Sequence, residues 1–235
     1  MISQHDIQKL DAVAFRKNGK FEPVSKFIDG FGASRLPTSH INFLTARNGI
    51  SVYNGMYRMF GTDTVSIDLK NWNSYETWKF AWETDVSQYF CFAETAWGDQ
   101  YAYRVDELAS PENAIVYFLE HATMSVVCKF ADFEDFFHNE FIRNAYHPFS
   151  QIDIDIIDRF GSIDTNDHFV FSPSILLSKD EDVANVLKMS AVSSMIVNGD
   201  LSRQLSATTT DQSISRIEPY ADDKGRTRMR VIFGD

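Results

Sequence analysis

The chain reads as an α+β fold: a mainly antiparallel central sheet with helices packed on one face, plus a C-terminal helix and β-hairpin. Three stretches carry that reading. Residues 89 to 103 hold two aromatic, β-favouring runs, Tyr89 to Ala93 and Gln100 to Tyr103, around the punctuating pair Gly98-Asp99, the pattern of a hairpin. Its aromatic density points to a central, two-sided strand pair. Phe133, Phe137 and Phe141 recur at i, i+4 and i+8 and so share one helix face, which packs into a core. Near the end, Ile214 to Tyr220 and Thr227 to Phe233 flank Asp222-Asp223-Lys224-Gly225, a second hairpin.

The remaining elements follow in order. Residues 1 to 29 form a mixed segment broken at Asn18-Gly19. Thr38 or Ser39 caps a short helix to Ala46, ended by Asn48-Gly49. Ile50 to Tyr53 and Met56 to Phe60 are strands across the two-residue turn Asn54-Gly55, and Thr64 to Leu69 reads as a further strand. Trp78 and Trp82, at i and i+4, fall on one face of a helix that packs on the sheet. Strands cover Ala114 to Leu119 and Met124 to Phe130. Asp132 caps the phenylalanine helix, which stops before His147-Pro148. Ile154, Ile157 and Phe160 lie in a short helix ended by Gly161. His168 to Phe171 form a brief strand, and Asp182 caps a long helix through Val183, Val186, Val192, Ile196 and Leu205, weakened at Asn198-Gly199. Ser206 to Ser213 is a polar loop. The change of character near residue 146 suggests a first α+β region, 1–145, and a helical and hairpin region, 146–235, packed on it.

Composition narrows the function classes. With 235 residues, 44% hydrophobic and 14% aromatic, the chain holds a large core. Its 22 Lys and Arg against 33 Asp and Glu give a net charge of −11, which opposes nucleic acid as a ligand, because phosphate binding needs a cationic footprint. An acidic surface suits a basic protein partner, or simply solubility. No apolar run reaches the roughly 18 residues that span a bilayer. The start Met-Ile-Ser-Gln-His-Asp lacks a signal-peptide layout, so a cytoplasmic location is expected. Cys91 and Cys128, both in apolar β-like runs, read as free, buried, inert thiols.

Catalytic and cofactor motifs are missing from the sequence. It has no G-x-S-x-G, H-E-x-x-H or C-x-x-C, no phosphate loop, and six scattered histidines without metal-ligand spacing. Asp153-x-Asp155 lacks the rest of a calcium loop. No catalytic residue, cofactor or metal is therefore expected. Glu94 and Asp99, at the two ends of the central turn, could face a common cleft as a carboxylate pair for acid–base work. The simpler reading has Asp99 holding the turn through backbone bonds and Glu94 in solvent.

Asn48-Gly49, Tyr53-Asn-Gly-Met-Tyr-Arg-Met-Phe-Gly61 and Phe92-Ala-Glu-Thr-Ala-Trp-Gly-Asp-Gln-Tyr101 resemble the SUKH superfamily. In those domains a helix ends in Asn-Gly, a hydrophobic strand enters a Gly-Asp turn, and a Phe-rich helix follows. His168-Phe-Val-Phe-Ser-Pro-Ser-Ile-Leu-Leu177 with Val186-Leu-Lys-Met-Ser-Ala-Val192 resembles the C-terminal region of type VI secretion immunity proteins that carry a GAD-like domain. The resemblance implies an immunity protein that neutralises a cognate toxin, frequently a nuclease, by stoichiometric binding over its basic groove. The alternative is a regulatory or scaffolding interaction module. Family contact surfaces vary with the toxin, so the partner-binding candidates rest on acidic and aromatic character alone: Glu94, Trp97, Asp99, Asp153, Asp155 and Asp158.

Overall fold

Seven strands cross one antiparallel sheet in chain order: β1 (Ala14–Lys17), β2 (Ile50–Val52), β3 (Tyr57–Met59), β4 (Tyr89–Thr95), β5 (Gln100–Arg104), β6 (Val116–Leu119) and β7 (Val126–Phe130). The computed structural model describes residues 2–17, 36–62, 67–82, 85–147, 150–178, 181–208 and 213–234. Local connections favour antiparallel neighbours, and the meander is the outcome. The aromatic hairpin supplies its centre, since β4 pairs with β3 on one side and β5 on the other. Gly98 takes φ +98° in the turn, a conformation that costs glycine little. Thr95 and Asp99 close the loop, the Thr95 hydroxyl donating to Asp99 Oδ2 at 2.7 Å.

The register of β4 shifts between Cys91 and Ala93, and a side chain repairs the resulting gap. Cys91 N–H donates to Asn73 Oδ1, and Asn73 Nδ2 donates to the Cys91 carbonyl, each at 2.7 Å. Asn73 thus satisfies two backbone groups that a bulge would strand. It sits at the end of α3 (Leu69–Asn73).

Helices cover one face of the sheet. They are α2 (Thr38–Ala46) and one run comprising α4 (Phe133–Phe136), a π-helical stretch Phe137–Ile142 and α5 (Arg143–Tyr146). Asp132 caps the run by accepting from Asp135 N–H. Phe133, Phe136, Phe137 and Phe141 are all buried among Phe92, Tyr101, Tyr103 and Phe43. Each such side chain contributes about 1.5–3 kcal/mol of burial. His40 from α2 stacks on Phe133 at 4.4 Å, and burial pushes its pKa down to about 3, so it packs as a neutral ring.

The 146–235 region packs on the first. It contains α1's partner contact at Tyr146, whose hydroxyl donates to Lys9 O in α1 (Gln4–Val13), then α6 (Gln151–Phe160), β8 (Asp167–Phe171), α7 (Ile175–Ser178), β9 (Val186–Ser190), α8 (Ala191–Ser206), β10 (Ile214–Ala221) and β11 (Thr227–Phe233). Strand β8 pairs with β9, and β10 with β11, both antiparallel. Helix α8 clasps the last hairpin: Asp200 binds the Arg228 guanidinium and Met229 N–H, and Gln204 accepts from Val231 N–H at 3.0 Å.

Several local expectations change. Pro37, not Thr38 or Ser39, occupies the α2 N-cap without a side-chain bond. Instead the Glu112 carboxylate accepts from Thr38 N–H and its hydroxyl. Of the strand expected over Thr64 to Leu69, residues 64–66 lie outside the described residues, while Asp68 caps α3 and Leu69 opens it. Trp78 and Trp82 do not share a helix: a single 3-10 turn, Lys79–Ala81, separates them. Both are buried, as is Trp72. Asp182 caps only the 3-10 turn Val183–Asn185. Val186 to Ser190 leave the expected helix because their β-branched and apolar side chains pair with β8, and Ser190 caps α8. Of the two thiols, Cys91 is buried and Cys128 is exposed on β7.

Asn198-Gly199 does not break α8. A Cβ at Gly199 would sit 2.8 Å from Trp82 Nε1 and 3.0 Å from the Ala81 carbonyl carbon. The glycine therefore serves close approach. In an open helix Gly→Ala gains about 1 kcal/mol. Here Gly199→Ala is expected to lower stability, by about 1–3 kcal/mol, read as a fall in the urea midpoint at unchanged slope.

Candidate functional site

The central hairpin carries polar chemistry on both of its faces. On the face away from the α4–α5 run, Arg58 of β3 and Glu94 of β4 are register partners, with Arg58 Nε 2.7 Å from Glu94 Oε1. The other guanidinium nitrogens donate to the carbonyls of Asp164 and Asp167, each at 2.8 Å. Glu94 Oε2 accepts from Gln100 Nε2 at 2.9 Å and lies 3.2 Å from His168 Nε2. His168 Nδ1 is 2.6 Å from Ser194 Oγ, and Trp72 Nε1 donates to Gln100 Oε1 at 2.7 Å. Glu94 and His168 are both 0% exposed.

Burial alone pushes the Glu94 carboxyl up, but Arg58 and His168 outweigh it and hold the group below its ordinary value. Burial lowers the His168 pKa, and Glu94 opposes that only in part. The cluster is therefore an ionised Arg58–Glu94 pair beside a histidine that favours neutrality.

The helical face holds a cavity of about 490 Å³ walled by Tyr57, Trp97, Tyr101, Phe118 and Phe130. Asp99, Asp153 and Glu140 line it, with Arg143, Asn144 and Cys128. Each carboxylate is fixed by donors. Trp97 Nε1 donates to Asp153 Oδ1 at 2.9 Å and the Tyr57 hydroxyl to Oδ2 at 3.2 Å. Glu140 accepts from the Tyr101 hydroxyl at 2.8 Å, Asn144 Nδ2 at 2.9 Å and Arg143 Nη2 at 2.7 Å. Asp99 Oδ1 accepts from His121 N–H at 2.9 Å and lies 2.8 Å from its Nδ1. Asn144 is 1% exposed and its Oδ1 has no hydrogen-bond partner. The polar lining is thus rich in acceptors, with three carboxylates against one guanidinium.

Burial raises the Asp99 pKa, but His121 and Thr95 pull it below the ordinary range. Burial lowers His121, and Asp99, with smaller help from Glu120 and Glu181, more than restores it, leaving the imidazole raised. The Tyr101 hydroxyl is raised well above its usual value by burial and then by Glu140, so it donates.

Three of the six sequence candidates, Trp97, Asp99 and Asp153, meet at this cavity. Trp97 also stacks on Phe171 at 5.1 Å. The other three do not join them. Glu94 is sealed on the opposite face, not in solvent, so it shares no cleft with Asp99. Asp155 and Asp158 are exposed on α6 and do not line the cavity. Asp153, a candidate by its acidic character, is buried. Sequence reasoning missed Glu140, Arg143 and Asn144; their spacing of i, i+3, i+4 along the phenylalanine helix marks a shared face, but nothing in it marks which way that face turns. Among the described residues, no group of three or more His, Cys, Asp or Glu side chains is arranged to hold a metal, and no helix is long and apolar enough to cross a membrane.

No family model and no curated protein matches the chain. Its fold is similar to that of Atu4351 from Agrobacterium tumefaciens, a crystal structure, with a TM-score of 0.54, 10% sequence identity, and coverage of 95% of this chain and 96% of that one. The likeness extends over nearly the whole length of both and concerns the fold alone.

Glu94→Gln leaves Arg58 buried without its counter-charge and is expected to cost about 3–5 kcal/mol in urea unfolding. The Asp99–His121 pair gives a pH signature. The raised His121 contributes stability that is full below its ordinary 6.5 and lost as pH rises through its folded value. The lowered Asp99 contributes stability that is full above its ordinary 3.8 and lost as pH falls through its folded value. Asp99→Asn should therefore cost most between those two ordinary values and less on either side, with the His121 titration midpoint falling in an NMR titration.

Proposed function

We propose that this chain is a stoichiometric binding protein of the immunity type, which neutralises a cognate basic toxin of the nuclease kind by covering it. The observation that carries this reading is the aromatic, acceptor-rich cavity beside β7, the last strand of the sheet among the described residues. Its carboxylates suit the cationic side chains that line a nuclease's substrate groove. The net charge of −11 supports the same partner, because a complementary field speeds encounter and disfavours wrong partners. The SUKH-like and GAD-like stretches support it independently. On this reading the chain catalyses no reaction and needs no cofactor. Its ligand is a protein, not nucleic acid or a membrane, and it acts in the cytoplasm, where a self-directed toxin does its damage.

The test is co-purification with the product of the neighbouring reading frame. A one-to-one complex at micromolar concentration, with toxin activity lost in proportion to the protein added, is the expected result. Association should slow as salt rises. Absence of a complex with a neighbouring toxin overturns the proposal. A complex with a non-toxic neighbour replaces it with a regulatory or scaffolding role.

A further inference from the structure

The helical-face cavity and the edge of β7 form one surface. Cys128 and Phe130 of β7 line the cavity, and no described strand pairs with the outer side of β7. Protein edges are normally blunted by charge, proline or cover. This one instead shows Val127 at 62% exposed and Val126 at 39%, and its one charge, Lys129, lies with its ammonium 5.0 Å from the centre of the Tyr117 ring. An unpaired edge carrying exposed valines suits the addition of an extended segment, whose backbone would continue the ladder. Side chains of such a segment alternate between the sheet's faces, so every second one is directed to the face where the cavity opens.

What the cavity would take from that segment follows from its lining. The Asn144 Oδ1 acceptor is buried and unpartnered, and a buried acceptor without a donor costs free energy that a ligand donor recovers. Asp99, Asp153 and Glu140 add negative charge, and Tyr57, Tyr101 and Phe118 present aromatic surface. A guanidinium fits all three features: it is donor-only, it is cationic, and its plane stacks on rings. A lysine ammonium is a hydrated point charge and lacks the plane. We infer that this cavity receives an arginine side chain presented by an extended protein segment that pairs with the free edge of β7. The inference rests on the binding-protein reading above and names how the partner engages.

The experiment is an NMR titration of the full chain with a short blocked peptide, Thr-Val-Arg-Val-Thr, alongside three controls. These are the same peptide with citrulline for arginine, the same peptide with a methylated backbone, and arginine amide alone. The arginine peptide is expected to shift Tyr101, Asn144 and Val127. Citrulline, which keeps the shape and loses the charge, should bind about tenfold more weakly, backbone methylation several-fold more weakly, and arginine amide more weakly still. Glu140→Gln should weaken the arginine peptide about tenfold, whereas Arg143→Gln, which removes the one cation in the lining, should tighten it.

Equal binding of the arginine and citrulline peptides, or shifts that map away from the cavity, overturns the inference. Arginine amide binding as tightly as the peptide overturns the strand-pairing part and assigns the cavity to a small guanidinium compound. If Glu140→Gln fails to fold, Arg143→Gln decides: failure to tighten sinks the proposal. A toxin complex indifferent to both substitutions refutes this mode of engagement and leaves the immunity reading standing. Peptide binding without any toxin complex does the reverse.

Discussion

The contact between Arg58 and Glu94 is the constraint on which the two halves of the molecule depend. Both belong to neighbouring strands of the central sheet, and both are buried. Removing two charges from water costs several kcal/mol per ion unless every remaining donor and acceptor is met. Gln100 of the sheet and the second half of the chain together meet them. Asp164 and Asp167 offer carbonyls to the guanidinium, and His168 approaches the carboxylate. The second half therefore cannot slide on the sheet without stranding an ion. Gly98 is part of the same fit, since a Cβ there would lie 3.0 Å from His168 Nδ1.

This network divides the labour of the central hairpin between its two faces. One face is committed to joining the halves, with Arg58, Glu94 and Gln100 buried in the join. The other carries the phenylalanine helix and, where that helix turns away, the cavity. Trp97 connects the two roles: its ring stacks on Phe171 of β8 while its indole nitrogen fixes Asp153 of α6 at the cavity wall. Docking the second half thereby sets the geometry of a site built mainly from the first.

The cavity's electrostatics follow from how its carboxylates are held. Each of the three accepts from neutral or partly neutral donors, such as tyrosine hydroxyls, an indole and an amide, as well as from Arg143 and His121. Neutral donors stabilise a carboxylate without cancelling its charge. The lining thus stays negative while remaining rigid, the combination that lets a binding site recognise a cation without first reorganising.

Local chemistry alone determined much of the fold. The Gly98-Asp99 turn, the Asp132 cap, the phenylalanine stripe and the final hairpin all act within a few residues, so propensity and period reveal them. Elements whose state depends on distant partners were not legible. Val186 to Ser190 carry helix-compatible spacing, yet pair as a strand because β8 lies alongside. Gly199 stays helical because Trp82 needs the space. The site divides the same way. Trp97 and Asp99 were readable as an aromatic and an acidic residue at a turn, and Asp153 as one of a run of acids. Which of them meet, why Glu94 does not, and why Glu140 and Asn144 join them were decided by packing. A residue's chemistry is written in its own identity, but the direction in which it points is set by register and by the helix laid across the sheet.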